Sequence, residues 1–499
     1  MKGEASLPGI YVIKSLVTTN GVSDEKIEPE KPKEKSHRQW MCAIIATLSL
    51  FTMGMIVGWT SPVIPKFGED PEAPSLDEHQ VSWVVSLVYF GGLFSPLATG
   101  LLMDRCGRKA GLILTSAEAI LSWVVLLFTK SPTGVYVGRF LGGTVGGSAF
   151  TVVPIYICEI ATPKVRGALN SITLIMAWCG VLFEYAVGPY VSYFTLNLLS
   201  GIVPLLVLLL TFIMPESPYY YTMVNQPTKA AQSLAWLRCT TTHHIHTELL
   251  TIQDTVSDAM IHKKGMTDLL GTSGNRKAFL MTSVLVIVTR LSGISVIIAY
   301  AAQAVPDSGF ITTDQCAMLI CGTWIVVGLL ATSLISRFER KPLMVVSCLG
   351  CSLATFIYGL YHFLQTNTNL NLSPYTWVPL TSLILHSAFF SVGLGCVPNM
   401  VQGELFASNI KGVASGTTCI VIAITSFLTN KLYYPVAELM GIHVNYWFYT
   451  VACIGGALFS HYVLLETRNK TLQEIQIELT GERKVTPTLE PNPKDSPII

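Results

Sequence analysis

The chain has 499 residues, 51% of them hydrophobic and only 13% charged, and 32 basic side chains balance 31 acidic ones to a net charge of +1. Soluble domains carry roughly 25% charged residues, so this composition excludes an ordinary water-soluble globule. The near-neutral balance says nothing about nucleic acid, but no basic stripe interleaved with aromatics appears, so no nucleic-acid partner is expected, and no phosphate-cradling loop is present to harness ATP.

Residues 1–39 are polar, with no apolar core of the kind a cleaved leader carries, and read as a cytoplasmic tail. Twelve apolar runs follow, each near the ~20 residues that cross a bilayer as a helix. They cover 40–62, 82–102, 110–128, 133–158, 168–192 and 195–214, then 278–304, 313–335, 342–364, 376–404, 412–435 and 444–466. Two six-helix bundles are therefore expected, 40–214 and 278–466. The polar stretch between them, 215–277, has apolar residues at helical spacing (Ala230, Leu234, Leu237, Leu249, Leu250, Ile252), which predicts short amphipathic helices. A tail, 467–499, closes the chain and from Lys484 has the Pro- and charge-rich composition of disorder.

Basic residues gather in the leading tail and in every second link: Arg105, Arg108 and Lys109, then Lys164 and Arg166, then Arg337, Arg340 and Lys341, then Arg468 and Lys470. The first link instead holds Glu69, Asp70, Glu72, Asp77 and Glu78 against Lys66. Positive charge marks the cytoplasmic side, so both termini are expected there, in a multi-pass protein of the plasma membrane. On that topology the sequon at Asn371 lies outside and is open to glycosylation, whereas the one at Asn469 does not. The twelve cysteines sit mostly inside apolar runs, and the Cys348/Cys351 pair reads as small packing residues rather than a redox or metal site. Neither a metal nor a cofactor is expected.

The chain repeats itself. Glu159 precedes Arg166-Gly167 by seven residues and Glu404 precedes Lys411-Gly412 by the same interval, each after a proline (Pro154, Pro398). Glu216-Ser217 and Glu466-Thr467 close the two halves. Matching charges at matching membrane depth are the mark of a duplicated transporter. Between the second and third runs, Gly100, Asp104-Arg105, Gly107 and Arg108-Lys109 form a tight charged turn that uses the backbone freedom of glycine. A merely topogenic cluster needs the arginines but not Gly100, Asp104 and Gly107.

That string resembles the signature of the major facilitator superfamily. The chain resembles its sugar porter family over about 40–475, through Gly138-Arg139, Pro154 to Gly167, Pro215-Glu216-Ser217-Pro218, Leu291-Ser292-Gly293-Ile294, Pro398 with Glu404-Leu405-Phe406, and Glu466 to Leu472. Within that family, Glu404 to Gly412 is most similar to insect facilitated trehalose transporters. The resemblance implies an all-α membrane protein with the 12-transmembrane-helix major facilitator fold, and a transporter rather than an enzyme. It implies a cytoplasmic gate in which Asp104, Arg105, Arg108, Arg139, Glu159, Arg166 and Glu216 tie one half together, and Arg337, Arg340, Glu404, Lys411 and Glu466 the other. Facilitative uniport of trehalose or a hexose is the function implied. Alternatives are another polyol, an organic anion, or a sugar sensor that does not transport. The only other partner expected is the lipid bilayer.

The chain also departs from the family. Ser336 and Glu339 damage the second copy of the charged turn, Lys411 gives up the bidentate pairing of an arginine, and Tyr219 replaces another arginine. Those changes suggest a looser second-half gate. Most sugar-binding amides are missing: Leu174, Asn399 and Ile422-Ala423 stand where glutamine, tryptophan and an Asn-Trp pair are usual. Polar capacity survives in Thr289, Arg290, Ser292, Ser295, Tyr300, Ser391 and Asn399, the candidate substrate-binding residues, with stacking surface in Trp178, Trp324 and Phe390. Arg290 is expected to face a wet cavity or an acid, with Glu184 one candidate partner, and Glu184 otherwise reads as a snorkelling residue. Thr60 occupies the place of the first-helix acid of proton-coupled relatives, which favours uniport.

Overall fold

A membrane interior offers the backbone no water, so each crossing must satisfy its own N–H and C=O groups, and the chain responds with helices. In the computed structural model, residues 36–261, 266–305, 311–406, 408–468, 470 and 472–480 are described, and no strand occurs among them. The side chain of Lys411, together with Asn469 and the segment 484–499, lies outside the described set.

The first half comprises α1 (His37–Val63), α2 (Glu78–Cys106), α3 (Arg108–Phe128), α4 (Pro132–Ile160), α5 (Pro163–Tyr190) and α6 (Tyr193–Ile213). The second comprises α7 (Ser273–Ala299), α8 (Thr313–Arg337), α9 (Arg340–Asn367), α10 (Ser373–Leu405), α11 (Ser408–Met440) and α12 (Ile442–Tyr462). Eleven described helices are long and apolar enough to cross a membrane. The remaining one, α12, spans 21 residues and is more polar because His443, Asn445, Tyr446 and Tyr449 are buried along it. Leu101, Phe128, Phe212 and Leu330 are each at least 60% exposed, as lipid-facing side chains should be.

Packing repeats in the two halves. The pairs α1–α5, α2–α4, α3–α4 and α3–α6 recur as α7–α11, α8–α10, α9–α10 and α9–α12. The halves meet through α2–α11 and α5–α8, which the same pseudo-symmetry interchanges. Close approach of α2 and α4 depends on two glycines facing each other. A Cβ on Gly91 would sit 2.0 Å from the Phe140 carbonyl oxygen, and one on Gly143 2.0 Å from that of Val88.

Several spans that read as continuous are broken. The first half's α2 turns at Gly92–Phe94, and α10 is interrupted between Val392 and Val397. A third break lies in α7 at Ser292-Gly293, where Gly293 takes φ +90° and packs on the Tyr449 ring. Hydropathy sees only that both arms are apolar.

The described residues between the halves form four short α-helices, Pro218–Met223, Pro227–Arg238, His246–Ile261 and Met266–Gly271, with a 3-10 turn at Thr242–Ile245. Leu234, Ala235, Ile245, Ile252 and Val256 form a small core there. Leu250, expected on the apolar face, is 45% exposed instead. Arg238 pairs with Glu248 at 2.7 Å and donates to the Ile160 carbonyl at 2.8 Å, fastening this segment to the end of α4.

A Gly143→Leu variant should lose the α2–α4 contact, lowering the melting temperature in detergent and the yield of monodisperse protein, because backbone has no room to yield. A melting temperature within about 2 °C of the parent would show that the contact is dispensable.

Candidate functional site

Each half builds the same charged constellation at the end of the membrane where α3 and α9 begin. In the first half α3 starts after Gly107, held at φ +99°, where a Cβ would run into the Glu216 carboxylate. That carboxylate accepts from the backbone N–H groups of Arg108 (2.9 Å), Lys109 (3.0 Å) and Ser217 (2.7 Å). An anion there meets the unpaired donors and the positive end of the helix dipole together. With its backbone so fixed, Arg108 reaches Glu159 at the end of α4, Nη2–Oε1 2.8 Å and Nε–Oε1 3.1 Å.

In the second half Glu466 accepts from the N–H groups of Arg340 (3.1 Å) and Lys341 (3.0 Å) at the start of α9, and from Arg468 (3.0 Å). Arg340 reaches Glu404 at 3.0 Å, and the Thr467 hydroxyl donates to the other Glu404 oxygen. The damaged turn thus assembles the same bonds: Glu339 sits at φ −70°, a conformation that needs no glycine. What differs is wetness. The Arg108 and Glu159 side chains are 8% and 14% exposed, those of Arg340 and Glu404 10% and 29%. The second pair is therefore the more screened.

The remaining expected gate residues fall elsewhere. Arg139 belongs to the opposite end of α4, about 30 Å from Glu159 at 1.5 Å per residue, so the expectation that it joins that cluster is corrected. It donates to the Ile56 (2.6 Å) and Val84 (3.2 Å) carbonyls and lies 4.9 Å over the Trp59 ring. Arg166 does not bond Glu159; it donates to the Ala161 carbonyl at 3.2 Å. Asp104, Arg105 and Arg337 are exposed. Arg105 and Arg337 take part through backbone carbonyls, bonded by the Tyr220 hydroxyl and the Arg468 guanidinium.

Bonds between the halves cluster from mid-membrane towards the other end. Tyr185 Oη donates to the Ile298 carbonyl (2.6 Å), and Ser61 accepts from Ala302 N–H and Gln303 Nε2 (both 3.0 Å). Lys431 lies 4.0 Å over the Trp83 ring, and Trp178 stacks on Trp324 at 4.7 Å, so these two indoles cover each other rather than offering free stacking surface. Phe390 stacks on His386.

Among the expected substrate residues, Thr289, Ser292 and Ser391 return their hydroxyls to the carbonyls of Leu285, Thr289 and Ser387. Asn399 is exposed, and the Tyr300 hydroxyl is buried with no partner among the described residues. Ser295 Oγ lies 3.5 Å from Ser426 Oγ. Glu184 is neither a snorkelling residue nor the partner of Arg290: it is fully buried and accepts from Ser200 at 2.6 Å, in the field of Arg139. A second intramembrane acid, Glu118, went unmarked in the sequence; it accepts from Ser148 at 2.9 Å. An isolated Glu inside an apolar run was the available signal. Cys348 and Cys351 are buried free thiols in the core. Asn371 is exposed beyond the far end of α9, its Oδ1 accepting from the Ser373 N–H.

Two duplicated helical bundles, bonded to each other at one end and carrying matched ion pairs at the other, define a membrane transporter of the major facilitator fold. The chain belongs to the sugar (and other) transporter family, whose profile matches residues 41–479. It is 28% identical to a facilitated trehalose transporter of Bombyx mori, covering 90% of this chain and 88% of that one. A Drosophila mojavensis relative of the same description is also 28% identical, but the chain spans only 50% of its length. Among solved structures, the partially occluded inward-open conformation of the E. coli xylose transporter XylE superposes with a TM-score of 0.74 at 19% identity, covering 88% of this chain and 100% of that one.

The two capping carboxylates differ in ionisation. Burial pushes Glu216 above the usual carboxylate range, and its three backbone donors offset this only in part. Burial also pushes Glu466 upward, but the N–H groups of Lys341, Arg340 and Arg468 outweigh it and hold the group below that range. A depressed carboxyl contributes stability above its unfolded pKa and loses it as pH falls through the folded value; a raised one gives the reverse. Glu466→Gln should therefore lower the melting temperature more than Glu216→Gln at pH 7. The Glu466→Gln deficit should shrink as pH drops below about 4.3. The opposite ranking at pH 7 would contradict this account.

Proposed function

We propose that the chain is a facilitative sugar transporter, moving trehalose or a hexose down its gradient by alternating access between the two halves, 40–214 and 278–466. The observation that carries this reading is the opposition of the two membrane ends: the halves bond each other at one, while Arg108–Glu159 and Arg340–Glu404 hold helix ends within each half at the other. Rocking the halves about the α2–α11 and α5–α8 contacts exchanges which end is sealed. Networks that form in one state and break in the other bias the balance by a few kcal/mol, and about 1.4 kcal/mol is tenfold in population.

The substrate class rests on the relatives described as trehalose transporters. Uniport rests on Thr60, which is buried and returns its hydroxyl to the Val57 carbonyl where a titrating acid would otherwise stand. Lysine and arginine placement supports cytoplasmic termini in the plasma membrane, with 215–277 on the same side and Asn371 outside. The sensor reading loses its motive, since the altered second turn still makes its bonds.

Uptake of labelled trehalose and glucose into oocytes expressing the chain tests the proposal; surface-expressed protein that takes up neither overturns it. Glu159→Gln and Glu404→Gln should lower the maximal rate while sugar affinity changes by less than about threefold, and Glu159→Gln should cost more because its pair is drier. Equal rates in both variants and the parent would remove these pairs from the transport cycle.

A further inference from the structure

At the break in α7 the Arg290 guanidinium has no acidic partner among the described residues, and its buried Nε has no hydrogen bond. Such a cation inside a membrane costs several kcal/mol unless a counter-charge or a wet cavity meets it. Its neighbours are polar and come from both halves. Tyr89 lies on α2, which packs on α11, and sits in the field of Arg290, while Ser295 Oγ lies 3.5 Å from Ser426 Oγ of α11. Asn430 of α11 donates from Nδ2 to the Ser426 carbonyl at 2.8 Å, and its buried Oδ1 has no partner among the described residues. Cys419, also in the field of Arg290, lies on the same α11 face as Ser426 and Asn430, at spacings of seven and four residues.

Unpaired buried donors and acceptors in one place call for a ligand or ordered water. The charge decides what kind. Arg290 supplies one positive charge, and Arg139 is already engaged by two carbonyls and the Trp59 face. A phosphate, at about −1.5 to −2, would leave excess negative charge buried, whereas a carboxylate matches one guanidinium and accepts its two-pronged donation. Tyr89, Ser295 and Asn430 add the mixed donors and acceptors that hydroxyls require.

We propose that Arg290, Tyr89, Ser295 and Asn430 form a subsite for the carboxylate end of a sugar acid, so that the transporter prefers a hexuronate to the neutral sugar of the same shape. This rests on the sugar-transport reading and narrows its substrate class. Because the subsite lies at the α2–α11 contact, both halves supply its residues, Tyr89 from the first and Arg290, Ser295 and Asn430 from the second.

The test uses the full chain, purified and in proteoliposomes, with D-glucuronate and its uncharged methyl ester as probes. Thermal stabilisation and competition against labelled glucose uptake should both favour the acid by about tenfold or more. Arg290→Gln should erase the gap. Arg290→Lys, which keeps charge but loses the fork, should reduce it, and Asn430→Ala should weaken both probes alike. Equal binding of acid and ester by the parent overturns the proposal without any variant, as does a gap that survives in Arg290→Gln. Neutral-sugar uptake with no acid preference sinks the subsite alone. Acid-selective, Arg290-dependent stabilisation without uptake of any sugar supports the subsite and sinks the transport reading. Neither uptake nor stabilisation sinks both.

Discussion

A carboxylate set against the first N–H groups of a membrane helix is the interaction on which the rest of this structure turns. Glu216 and Glu466 each leave the last span of a half and return to the start of its third helix. Donors at a helix start have no partner inside the helix, and at a membrane boundary they have little water to replace it. The returning carboxylate satisfies them, closes six helices into one unit and fixes the backbone from which Arg108 or Arg340 reaches across to Glu159 or Glu404. Without the cap, the ion pair would have to order a long, free arginine at its own entropic expense.

The two halves use this device unequally. Gly107 lets the Glu216 carboxylate approach so closely that no side chain fits between them, and the first-half pair is drier. Glu339 takes an ordinary extended conformation, and the second-half pair stands nearer to water. Both arrangements satisfy the same donors, so the altered motif changes the strength of the latch and not its existence.

Polar groups in the membrane interior fall into two kinds. Thr289, Ser292, Ser391 and Thr60 give their hydroxyls to helix carbonyls and are thereby spent. Arg290, Tyr300 and Asn430 retain buried atoms with no hydrogen-bond partner among the described residues. Side-chain type alone does not separate the two kinds, because a threonine that lines a cavity and one that bonds its own helix are spelled alike. Glu184 and Arg139 make the same point: each reads as a lone charge, and each is supplied by partners from helices distant in sequence.

Length, hydropathy and the repeated acids were enough, in the linear chain, to mark twelve spans, their division into two sets and the residues of the paired charge clusters, because membrane thickness and duplication leave periodic traces. Capping partners, helix breaks at Gly92–Phe94 and Ser292-Gly293, and the placing of Arg139 away from Glu159 left no such trace. Those features are decided where helices cross, since a backbone N–H and a carboxylate a hundred residues away become neighbours only once the six helices of a half have packed.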